Sequence, residues 1–158
     1  MPPGDAAIEE IDGNPRFVIR NKGFFSQDVE LPGAVGKYVL IIGRVSSERI
    51  NPDGAITGLP YLYAYLLQGM TADWRAIDYI NDPTTLGRPK EKDQWVYAWG
   101  VHRVPEKTDG LRFFLNQAER KNVPQNGSAA RFDDLGLYLF DTKEEADAFA
   151  KSLMQKTP

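Results

Sequence analysis

A lone histidine, two arginines and a run of large aromatic side chains carry most of the chemistry this chain can offer. His102, Arg103, Trp95, Tyr97 and Trp99 fall in one stretch, 94–104, which reads Gln-Trp-Val-Tyr-Ala-Trp-Gly-Val-His-Arg-Val. Arg44 closes a second apolar stretch, 37–45. His102 has no second histidine to pair with, so a zinc site would need carboxylates for its other ligands. The chain contains no cysteine, which excludes disulfides, thiolate metal sites and cysteine nucleophiles. No Gly-x-Ser-x-Gly elbow, Gly-x-Gly-x-x-Gly turn or Walker A loop occurs. No catalytic residue, metal or cofactor is therefore assigned, whether the chain is an enzyme is left open, and His102 is expected to be structural. The acidic pairs Glu9-Glu10, Asp133-Asp134 and Glu144-Glu145 read as solvated charge, the last of them matched to a helix start.

The arginines support a sharper expectation. On a strand, alternate side chains share a face. Trp95, Tyr97, Trp99, Val101 and Arg103 then lie on one face of 94–104, and Val96, Ala98, Gly100, His102 and Val104 on the other. Tyr38, Leu40, Ile42 and Arg44 share a face of 37–45 in the same way. If the two strands are parallel neighbours joined by a helical crossover through 59–80, Arg44 and Arg103 emerge together at the carboxyl end of the sheet. Helix starts near Pro60 and Gly110 would add positive potential there. The pair could then hold a carboxylate or phosphate, with Trp95, Tyr97 and Trp99 lining the pocket. Antiparallel pairing removes that site and leaves each arginine carrying a strand end into water.

The elements that would position these residues follow from periodicity. Strands are expected at 16–20, 37–45, 94–104 and 135–140, and helices at 59–69, 72–80, 110–121 and 143–154. Leu59, Leu62, Tyr63, Leu66, Leu67 and Met70 fit a helical stripe, although Tyr61, Tyr63 and Tyr65 would equally share a strand face. Leu111, Phe114, Leu115 and Ala118 fit a helix less well at Phe113, where a hairpin return is the alternative. Thr142 and Glu145 make a capping box ahead of Ala146, Phe149, Ala150 and Leu153. Asn51-Pro-Asp-Gly has type I turn chemistry, and Asn126-Gly-Ser matches a glycosylation acceptor. Residues 1–15, with three prolines, read as a flexible N-terminal arm, and 16–158 as a single α+β domain. That domain is expected to be a sheet of four to five strands with three to four packed helices.

Net charge is −3, which argues against general nucleic-acid binding. No run approaches the length of a membrane span, and the start lacks a basic, then apolar leader. A soluble, cytoplasmic protein is expected. Plentiful Trp and Tyr without a catalytic signature point to a non-enzymatic protein-interaction or regulatory module whose partner is another protein. The alternative is a small-molecule protein, binding or enzymatic, with an anionic ligand on the aromatic face of 94–104.

Overall fold

The computed structural model describes residues 4–11, 13–48, 60–69, 75–80, 91–117 and 129–156. Among them are eight strands and one helix: β1 (Gly4–Ile11), β2 (Asn14–Glu30), β3 (Tyr38–Ser47), β4 (Pro60–Gln68), β5 (Arg75–Ile80), β6 (Val96–Arg103), β7 (Gly110–Gln117), β8 (Ala129–Phe140) and α1 (Lys143–Lys156). The strands form one sheet in the order β5-β4-β7-β2-β8-β3-β6, with β1 added to β2. Every pairing is antiparallel.

The long strand β2 turns this sheet into a sandwich. Its first half, Phe17 to Arg20, pairs with β8, and its second half, Gly23 to Glu30, pairs with β7. One layer is therefore β5, β4, β7 and the second half of β2. The other is β1, the first half of β2, β8, β3 and β6. Alternation puts Val39, Ile41 and Val45 of β3 opposite Leu62, Ala64 and Leu66 of β4, with Ile19, Leu111, Leu115 and Phe132 completing a dry core. Each large side chain so buried contributes about 1.5–3 kcal/mol.

This architecture corrects the expected α+β fold with three to four helices. The stretch expected as a helix over 59–69 is strand β4. The apolar stripe there fits both periods, and the strand prevails because ladders to β5 and β7 on both sides satisfy its backbone polar groups. The expected helix 110–121 is β7 as far as Gln117, with Leu111 and Leu115 inward and Phe114 outward. Of the expected helix 72–80, residues 75–80 form β5. The expected strands 16–20, 37–45, 94–104 and 135–140 coincide with parts of β2, β3, β6 and β8. Gly4–Ile11, within the stretch read as an arm, pairs with β2 from Asp5↔Arg20 to Ile11↔Asn14. The turn at 51–54, the helix start at Thr71, Trp74 and the glycosylation triplet 126–128 lie outside the described residues.

The helix α1 begins as its capping residues require. The Thr142 hydroxyl accepts from the Glu145 N–H at 3.2 Å and donates to the Glu145 carboxylate at 3.1 Å. Ala146 and Ala150, fully buried, bring the helix close onto Leu40 and Ile42, with Trp99, Val101, Phe140 and Phe149 around them. Strand β3 is thus covered on both faces, by the sandwich core and by α1. No helix among the described residues is long and apolar enough to cross a membrane.

Candidate functional site: two outer faces of the sandwich

The outer face of the β4-β7-β2 layer is the less ordinary of the two. Outward positions of a sandwich strand are ordinarily polar. Here the register aligns Ser26, Phe114 and Tyr63 in one row across three strands, and Asp28, Arg112 and Tyr65 in the next. Tyr63 and Phe114 stack with centroids 4.5 Å apart and planes 6° apart. Tyr65 lies 5.0 Å from Phe114, and Phe24 6.0 Å from it on the other side. The three inner rings are half-buried, and Phe24 is exposed. The helix α1 packs on the other layer, against Leu40 and Ile42 of β3. A depression of about 450 Å³ opens between Phe24, Phe114, Ser26, Asp28 and Arg112.

One ion pair edges the ladder. Arg112 Nε donates to Asp28 Oδ1 at 2.7 Å and Nη2 donates to Oδ2 at 3.0 Å, the parallel fork that fixes both side chains. The Arg112 hydrogen bond holds the Asp28 carboxyl below its ordinary range, and Asp28 in turn raises Arg112. The arrangement combines aromatic surface with a charged donor and acceptor at fixed positions.

The other outer face holds some of the residues expected from sequence. Across β1, β2, β8, β3 and β6 the row runs Glu9, Arg16, Asp133, Arg44, Tyr97, with charges alternating strand by strand. Arg16 bridges to Asp133 at 3.5 Å and Arg44 to Asp134 at 3.4 Å. Both guanidiniums lie over the Trp95 ring, at 4.5 and 5.3 Å, and Arg44 also lies 5.9 Å from Tyr97. Arg44, Trp95 and Tyr97 are therefore together. Tyr97 and Trp99 both pack against the Leu40 and Ile42 cluster under α1, with Trp99 opposite Ile42 and so one outward position farther from Arg44. Arg103 is at the far end: it pairs with Tyr38 while Arg44 pairs with Tyr97, which separates the two arginines by about 20 Å along the strands. Antiparallel pairing, and strands where helix N-termini were expected, remove the shared anion site.

His102 faces the interior edge instead. Its Nε2 lies 2.8 Å from Asp78 Oδ2, tying β6 of one layer to β5 of the other. Among the described residues no three metal-ligating side chains gather. The aromatic ladder was missed because Tyr63, Tyr65 and Phe114 were assigned to helices. The Tyr-x-Tyr-x-Tyr alternation of 61–65 was the signal that could have found it.

No protein-family model matches the chain, and no curated protein matches it by sequence. Solved structures do. The CBM22-2 xylan-binding domain from Paenibacillus barcinonensis superposes with a TM-score of 0.53 at 18% identity, covering 87% of this chain and 89% of that one. A family 16 carbohydrate binding module gives 0.50 at 14%, covering 84% and 83%. The enzymatically active domain of bacteriophage CBA120 tailspike protein 4 gives 0.55 at 14%; the match takes in 87% of this chain but only 17% of the tailspike chain. The likeness is one of fold. It overturns the expectation of an α+β protein-interaction module: the chain is a β-sandwich, similar in fold to these carbohydrate-binding modules. The expected alternative of an anionic ligand falls with the separation of Arg44 from Arg103.

Proposed function

We propose that this chain is a carbohydrate-binding module that grips a glycan on the outer face of β4, β7 and β2. The observation that carries this reading is the ladder of stacked and tilted rings, Phe24, Phe114, Tyr63 and Tyr65, on an outer face where polar side chains belong. Sugar rings present apolar C–H faces between polar rims. Aromatic side chains take the first, and a few fixed polar groups take the second. Asp28 offers acceptor lone pairs to sugar hydroxyls beside the ladder, and Arg112 offers donors, both held in place by their mutual fork. The width of three strands, about 10 Å between the outer two, accommodates more than one sugar unit. The sandwich shared with a xylan-binding domain supports a polysaccharide as the first class to test.

Native electrophoresis in gels cast with soluble neutral polysaccharides, xylan among them, tests the proposal. Retardation by at least one polysaccharide is expected, with normal mobility restored by Phe114→Ala. Equal mobility in every gel, with or without polysaccharide, would overturn it.

A further inference from the structure

The opposite face carries a second site, built differently. Beside the charged row lies an open cleft of about 460 Å³, a volume ordinary for small-molecule sites. Its floor is Ser46 of β3, flanked by Arg131 of β8 and Trp95 before β6. Ser46 is 1% exposed, and its hydroxyl has no hydrogen-bond partner among the described residues. The buried Nε of Arg16, in the same wall, likewise has none. Two buried polar atoms left unmatched at one cleft are costly, and a polar ligand that reaches them relieves that cost.

The wall selects the ligand's charge. Among the described residues, three guanidiniums line the cleft, those of Arg16, Arg20 and Arg131, against the three carboxylates of Glu9, Glu10 and Asp93. The guanidiniums are already engaged: Arg20 with Glu9 at 3.1 Å, Arg131 with Asp93 at 3.1 Å and with Glu48, and Arg16 with Asp133. An anion would meet a carboxylate beside each of these arginines, and a cation would meet an arginine at Glu9 and at Asp93. A hydroxyl both donates and accepts, so neighbouring hydroxyls can bridge a guanidinium and its carboxylate without adding charge. We propose that this cleft is a second binding site that takes a single neutral, polyhydroxylated ring, a monosaccharide unit. Its position on the other layer makes it independent of the aromatic ladder.

The test follows the Trp95 indole N–H by NMR, assigned with Trp95→Phe, while the whole chain is titrated with xylose, glucose, galactose and, separately, sulfate. At least one neutral sugar is expected to move the Trp95 signal saturably, and sulfate is not. Ser46→Ala deletes an unmatched hydroxyl, so it should fold at least as well as the parent; it should weaken the sugar response by about tenfold, one hydrogen bond's worth. Phe114→Ala should leave the Trp95 response intact, which separates this site from the ladder. A Trp95 signal unmoved by every sugar, moved as much by sulfate, unchanged in Ser46→Ala, or silenced by Phe114→Ala would overturn the proposal.

Discussion

Tyr63 and Phe114 face each other across β4 and β7 with their rings 4.5 Å apart and nearly parallel, on the solvent side of the sheet. A stacked pair of this kind stabilises the sheet by about 0.5–1.5 kcal/mol beyond its buried area. With its half-buried area added, Phe114→Ala should lower unfolding free energy by about 2 kcal/mol. Phe132→Ala, in the fully buried core, should cost about 3–5 kcal/mol. Urea midpoints for the two variants check the contrast; a Phe114 effect as large as that of Phe132 would mean the ladder is core rather than surface.

Asp28 gives the ladder's rim a pH dependence. Hydrogen bonding from Arg112 lowers the folded carboxyl below its ordinary value of 3.8. A lowered folded pKa contributes stability that is fully present above the ordinary value and is lost as pH falls from there through the folded value. The Asp28 side chain is 41% exposed, so solvent screening keeps the effect to about 0.5 kcal/mol or less. Asp28→Asn should flatten that small acid limb in thermal scans below pH 4, while removing an acceptor from the rim at neutral pH. An unchanged acid limb would show that the pair contributes nothing there.

His102 and Asp78 link strands at the two ends of the sheet path, β6 and β5, across the open edge of the sandwich. His102→Gln and Asp78→Asn should each lower stability by about 1 kcal/mol. The double variant should cost less than the sum, because both changes break one contact. Strict additivity in denaturant melts would show that the two side chains do not act together.

Gly43 sits where the layers approach closely. A Cβ there would come within 2.7 Å of Leu135 Cδ2 and 3.0 Å of Leu62 Cδ2, one from each layer. Gly43→Val should cost about 1–3 kcal/mol by overpacking. A melting temperature equal to the parent's would mean that the core yields at this point.

The parts legible in the sequence were those where no helical stripe competed with the strand pattern, and the helix whose cap is written into its first turn. The β3 and β6 runs, Val39 to Ile42 and Ala98 with Trp99, read as strands, and Thr142 with Glu145 located the one helix among the described residues. β4 and β7 failed for a physical reason tied to the candidate site. Their outward positions hold Tyr63, Tyr65 and Phe114, so both faces are apolar and the period-two signal is diluted to the point where a helical stripe fits as well. The residues that make the face a site are the ones that disguised its strands. Arg44, Trp95 and Tyr97 were grouped because their strands pair, but antiparallel pairing sends Arg103 to the opposite end. Pairing direction depends on connections that the residue pattern does not encode. Ser46 could not be found from sequence, because its significance is burial without a partner.

The most direct test of glycan binding on the aromatic ladder is calorimetric titration with the polysaccharide that retards the protein, comparing the parent chain with Phe114→Ala. The expected result is an affinity at least about tenfold weaker in the variant, with its melting temperature lowered only modestly. Parent-like affinity in a folded Phe114→Ala chain would contradict it.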